Sequence, residues 1–228
     1  MTAIRAISSM ATRQVLAELC AMVRQSTDVQ VDVESVGGVD AARRVQEGEA
    51  FDLVFLASDA IQQLEASGRV LAGSRVDIVR SHVGVAVKAG SPVPDLAGEE
   101  AVKRAILAAP AIGYSTGPSG NALMKLFERW GIAGEVKDKL VQATPGIPVA
   151  TLVAEGRASL GFQQMSELVH VEGITLAGPL PGEIRIVTIF SGAVGAHASN
   201  AGAAGEVLRF MASPQTADAK QRHGMQPA

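Results

Sequence analysis

The chain has a single cysteine, Cys20, so no intramolecular disulfide can form and a disulfide-stapled secreted scaffold is excluded. Cys20 falls in an apolar helical pattern with no histidine arranged beside it, which reads as core packing rather than as a nucleophile. No run reaches the ~18 apolar residues of a membrane span, so no membrane insertion is expected. Charge of one sign is also missing: the formal net charge is −3, with acids and bases interspersed. That excludes a basic nucleic-acid stripe and an acidic tail. The start, MTAIRAISSMATRQ, has neither a long apolar segment nor a small-residue cleavage site. The expectation is a cytoplasmic chain as written, or a periplasmic one if this is a mature form with an added start Met. His170, His197 and His223 lack metal-ligand spacing, so no metal and no cofactor are expected.

Aromatic residues make up only 4%, whereas hydrophobic residues reach 47% and there are 24 glycines, a balance that suits a turn-rich α/β protein. At 228 residues the chain suffices for one large domain or two lobes of about 100 residues. Apolar periodicity predicts a strand at 4–7, a helix at 11–25, a strand at 29–33 and a helix at 40–47. A strand at 52–56 and a helix at 60–67 follow. This is βαβαβα, the pattern of a parallel sheet with right-handed crossovers. Ser8, Ser9, Ser35 with Gly37, and Ser58 stand at the carboxyl ends of these strands, the edge where open α/β sheets bind ligands. The serines cap helices, contact a ligand, or do both.

Residues 75–88 form a long extended run that carries Arg80 and His82, and 185–194 form another. Between them a second series is predicted: helix 99–108, strand 111–114, a helix after 118, strand 140–143, helix 149–155 and strand 159–162. Two helices close the chain at 202–212 and 213–222. The two extended runs suggest a chain that leaves one lobe, builds another and returns. Residues 1–82 and 190–228 form the first lobe and 83–189 the second, joined by a two-strand hinge. Each lobe is expected to hold a mixed, mostly parallel sheet flanked by helices.

The centre of the second series is AIGYSTGPSGNALMKLFER, residues 111–129. Leu123, Leu126, Phe127 and Trp130 give its helix an apolar face. Ser119 is placed as the N-cap, which would free the N–H groups of Gly120, Asn121 and Ala122 toward the loop. Such a terminus attracts an anion without any basic side chain, or it is simply a tight turn with a good cap. The Gly-Lys-Ser/Thr ending of a nucleotide-phosphate loop is missing.

The order of IRAISSMATRQVL, GEAFDLVFLASDAIQQLEASGRV, VGVAVKAGSP, GRASLGFQQMSEL and RFMASPQTADAKQRHGM resembles the type 2 periplasmic binding proteins, in the molybdate-binding-protein-like branch. The resemblance covers essentially the whole chain. It implies two α/β lobes that close on a ligand by hinge bending. It also implies ligand contacts from Ser8 or Ser9, from Ser35, from the Thr116–Ser119 loop and from residues 145–149, including Pro148. Molybdate binders of the family often place a Tyr where this chain reads Phe162-Gln163-Gln164. SRVDIVRSHVGVAVKAG, GYSTGPSG and GFQQMSEL are similar to a sub-branch that includes aconitate isomerase. Arg80 is either a bidentate clamp for a carboxylate or a surface residue of the crossover.

Three functions are compatible with these residues. The first is capture of a small anion, a di- or tricarboxylate or an oxyanion, by a solute-binding receptor that would need an ABC permease as partner if exported. The second is a cytoplasmic isomerase of an unsaturated tricarboxylate on the same scaffold. The third is a molybdate- or tungstate-binding protein. Isomerisation needs a base beside a carboxylate and donors for the enolate-like charge. His82 and Glu167 are the candidate bases, with Tyr114 behind them. Ser115, Thr116, Ser119 and Gly120 are candidate donors. Of Gln163 and Gln164, one is expected to read the ligand and the other to cap the sheet edge.

Overall fold

A computed structural model describes residues 2–144 and 146–228. In chain order the regular elements are β1 (Thr2–Ser9), α1 (Arg13–Ser26), β2 (Val29–Val36), α2 (Gly38–Gln46), β3 (Leu53–Ala57) and α3 (Ser58–Ala66). Then come β4 (Val76–Lys88), α4 (Glu99–Ala108), β5 (Ile112–Tyr114), α5 (Pro118–Arg129), α6 (Ala133–Val136), β6 (Leu140–Gln142), α7 (Val149–Ala154) and β7 (Leu160–Gln164). The last are β8 (Ile174–Pro179), β9 (Val187–Val194), α8 (Ala201–Ala212), α9 (Ala217–Arg222) and β10 (Met225–Pro227). The final strand carries too little apolar alternation to be read from MQP alone. The chain divides into two compact units, Met1–Ser81 with Thr188–Ala228, and His82–Val187.

In the first unit β1 pairs in parallel with β2 and β3, and β9 adds antiparallel to β3. Alternation along β1 sends Ile4 and Ala6 into a core shared with Leu16 and Leu19 of α1 and Leu208 of α8. Ile7 goes to the opposite face, with Val54, Leu56, Ala41 of α2 and Ile61 of α3. Both faces are therefore covered, and β3 is buried at every position, as a central strand between helical layers must be. Gly48 and Gly68 follow α2 and α3 at φ 97° and 70°, left-handed closures that favour glycine. On α9, Lys220 is fully buried and its Nζ has no hydrogen-bond partner among the described residues.

The second unit is built on β7, which pairs in parallel with β5 and antiparallel with the later part of β4. β5 pairs in parallel with β6, and β8 runs antiparallel along β4. Val85, Ile112, Leu160 and Phe162 meet Val102 and Ile106 of α4 and Leu123 and Phe127 of α5 in one core. On the other face α7 lies close, because Gly113 and Gly161, register partners in β5 and β7, leave room for it. A Cβ on Gly113 would stand 3.0 Å from Val149 Cγ1. One on Gly161 would overlap Val153.

Candidate functional site

The parallel strands β5, β6 and β7 end at one edge of the second unit's sheet. That edge carries the loop 115–117 before α5, the turn before α7, and the segment 163–167. The start of α5 differs from the expectation. Gly117 holds the N-cap position and Pro118 is the first helical residue, so Ser119 is not the cap. Proline suits that place because its φ is already helical and it has no N–H to leave unpaired. Ser119 Oγ instead lies 2.9 Å from Ser115 Oγ. Asn121 N–H is already bonded to the Gly117 carbonyl, which removes it from the free donors expected above. The N–H groups of Ser119 and Gly120 take no loop carbonyl among the described residues. Helix α5 can start this close to the loop only with glycine at 120, since a Cβ there would overlap the Ser115 carbonyl oxygen. The Tyr114 ring rests against the same glycine.

Gln163 and Glu167 form the second part of this edge. Gln163 is buried, its Oε1 accepts from Val149 N–H at 2.8 Å, and its Nε2 donates to Glu167 Oε1 at 2.7 Å. Burial pushes the Glu167 carboxyl up to about 7, and the Gln163 hydrogen bond draws it back only in part. A carboxyl held there exchanges its proton near neutrality, which suits a general acid–base group. Gln164 and Ser166 are also buried at the end of β7. Pro148 is the N-cap of α7, Thr116 is exposed, and Pro145 lies outside the described residues.

The first unit gathers serines at its own carboxyl edge. Ser8 and Ser35 are register partners, and their Oγ atoms are 2.8 Å apart. Ser9 is buried, its Oγ 3.5 Å from Thr12 Oγ1, and its carbonyl accepts from that hydroxyl at 3.1 Å. Gly37 is the N-cap of α2. Ser58 opens α3 as its first residue, so the cap position falls to Ala57 rather than to that serine. Among the described residues no group of three His, Cys, Asp or Glu side chains is placed to hold a metal ion. No helix there is long and apolar enough to cross a membrane.

Residues 4–226 match the family model described as bacterial extracellular solute-binding protein. The chain belongs to this family. A relative named aconitate isomerase, from Pseudomonas sp., is 33% identical to this solute-binding protein over 99% of the chain and 88% of the relative. Among solved structures, the periplasmic molybdate-binding protein of Azotobacter vinelandii superposes with TM-score 0.80 at 17% identity. It covers 97% of this chain and 98% of that one. The sulfate-binding protein SubI of Mycobacterium tuberculosis gives 0.79 at 17% identity, covering 100% and 88%. These structural likenesses carry the α/β fold.

Two further expected residues of this solute-binding protein lie on β4, where Val83, next to His82, is the register partner of Gln164. Arg80 is exposed on β4, opposite Gln226 of β10, and its Nε donates to the Pro227 carbonyl at 3.1 Å. The two terminal nitrogens of that guanidinium make no bond among the described residues, so a bidentate face stays open. His82 is partly buried on β4, and its Nδ1 has no partner among the described residues. Cys20 is a free thiol that burial, with Asp32 nearby, pushes up to about 12, as suits a packing residue. The contacts that organise the site, Val149 to Gln163 and Ser115 to Ser119, were not anticipated. Pro118 was a signal for the second, since proline at a first helical position marks where a helix begins.

Proposed function

We propose that the protein binds a small di- or tricarboxylate and moves its double bond by proton transfer through Glu167, an activity of the aconitate isomerase type. The observation that carries this reading is the Glu167 carboxyl, poised near 7 by burial at a strand edge that also presents the Ser119 and Gly120 N–H groups. The relative named aconitate isomerase, matched over 99% of this chain, supports it. In such a reaction the base takes a proton from the carbon beside a carboxylate. Negative charge then spreads over the allylic system and its carboxylate, where N–H donors lower its energy. The same proton returns to the other end of the allylic system. No redox partner is needed.

The second reading is a receptor that binds the same anion without chemistry. The family description as extracellular solute-binding proteins favours it. A molybdate or tungstate receptor is favoured by the fold likeness alone. A thermal-shift panel with molybdate, tungstate, sulfate, citrate, and cis- and trans-aconitate separates these, followed by proton NMR of each aconitate isomer with the protein. Conversion of one isomer to the other, lost in Glu167→Gln, is the expected result. Stabilisation by aconitate without conversion would leave the receptor reading. Stabilisation by molybdate or tungstate alone would overturn both polycarboxylate readings.

A further inference from the structure

Gln163 sits between two groups of fixed polarity. Val149 N–H can only donate, so it faces the amide oxygen of Gln163. The NH2 end is thereby turned to Glu167 and can only donate to it. The backbone that presents Val149 N–H is itself held, because α7 is seated on Gly113 and Gly161 and the Val149 side chain is fully buried. An amide locked at both ends is poorly suited to reading a ligand. It is well suited to fixing a carboxylate in one orientation.

We infer that Gln163 is a positioning residue, pinned by Val149 N–H so that it occupies Glu167 Oε1, and that Glu167 Oε2 is the oxygen that takes and returns the substrate proton. This inference rests on the isomerase reading above. In the step, Oε2 forms an O–H bond as the substrate C–H bond breaks, and the electron pair stays on the allylic carbons. The O–H bond then breaks as the proton joins the other allylic terminus. Glu167 ends as it began. The neighbouring elements of this unit carry Tyr114 at the end of β5, His82 and Lys88 on β4, Lys125, Glu128 and Arg129 on α5, and His170 after the 3-10 turn at Met165–Glu167. None of them perturbs Glu167, which responds to burial and to Gln163 alone.

The test is carboxyl 13C NMR on glutamate-labelled protein, with the Glu167 signal identified by its absence in Glu167→Gln. Removing the amide donor in Gln163→Met should move the Glu167 midpoint up by about one pH unit. In the same variant kcat should fall about 10- to 100-fold with KM within about twofold, and the rising limb of the kcat–pH profile should move with the midpoint. Gln163→Glu, which keeps the volume, should also raise the midpoint by adding a like charge, and it decides the matter if the Met variant does not fold. An unchanged midpoint in the folded variants, or a rise in KM with kcat preserved, would overturn the inference and return Gln163 to ligand reading. If the wild type shows no turnover while the midpoint still shifts, the isomerase reading and the role of Oε2 fall, and the hold of Gln163 on Glu167 stands.

Discussion

Ser8 Oγ and Ser35 Oγ lie 2.8 Å apart across the parallel pairing of β1 and β2, and Ser8 Oγ also reaches the Ser9 carbonyl at 3.3 Å. If Ser8 gives its proton to that carbonyl, Ser35 must give its own to Ser8, and neither hydroxyl is left to donate. An anion at this edge would have to draw at least one hydroxyl round. The pair therefore contributes to apo stability and to ligand binding in different measure. Ser8→Ala should cost about 1 kcal/mol without ligand, a drop of ~2–4 °C in Tm. If the first unit contributes to the ligand, as the family resemblance implies, the ligand-induced rise in Tm should shrink as well in both Ser8→Ala and Ser35→Ala. A full ligand-induced rise in both variants would remove these serines from the site.

Arg80 is held at Nε by the Pro227 carbonyl, and among the described residues its terminal nitrogens make no bond. As a carboxylate clamp it would contribute about 1.5–3 kcal/mol, the value of a charge-assisted pair. Arg80→Ala should weaken polycarboxylate binding by that amount in calorimetry, and Arg80→Lys should restore little, because an ammonium cannot bind both oxygens in a fork. Equal affinity in Arg80→Ala would assign the residue to the β4–β10 edge alone.

Glu167 makes stability depend on pH in a definite direction. Its carboxyl sits near 7 when folded against 4.5 for an unperturbed glutamate, so the folded chain keeps a proton that the unfolded chain releases in that window. Stability from this group is present below about 4.5 and falls as pH rises, with the loss complete above about 7. Glu167→Gln should lack that fall and gain roughly 2–3 kcal/mol over the wild type between pH 4.5 and pH 8. Urea unfolding at the two pH values reads the difference. The same substitution that abolishes turnover should therefore stabilise the fold at pH 8, and parallel pH curves for the two proteins would contradict the buried-carboxyl assignment.

Lys220 poses the opposite problem, a cation-forming group buried without a hydrogen-bond partner among the described residues. Burial lowers its affinity for a proton in the folded chain. The unfolded chain binds that proton more readily, so this group's penalty weakens as pH rises toward 10.5, the ordinary value for lysine. Lys220→Met keeps the aliphatic stem and removes the amine. It should raise stability at pH 7 by ~1–3 kcal/mol and flatten the alkaline part of the curve. A lower Tm in this variant would show that the amine has a favourable role in the folded chain.

The element order was legible because the apolar spacing of β1, α1, β3 and α5 is strong and each strand is closed by small or hydroxyl residues. Helix starts were less so: Ser119 and Ser58 look like caps, yet each lies inside its helix. For α5 the proline at 118 outweighs the serine that follows it, because the ring already supplies the helical φ. Glu167 was visible as a candidate base by residue type. Its burial was not, since that depends on how β7 lies between β5 and β4. The Val149–Gln163 bond joins residues 14 apart through a backbone N–H, a group that leaves no mark on side-chain pattern.

Gly113 and Gly161 face each other in register beneath α7. A methyl group at 161 would overlap Val153 and one at 113 would press on Val149, so either pushes against the helix whose first N–H holds Gln163. The orientation of the proton-handling carboxyl thus depends on two hydrogens where other residues carry carbon. A search for sequences sharing this chemistry would do better to track that pair of missing side chains than the acid they serve.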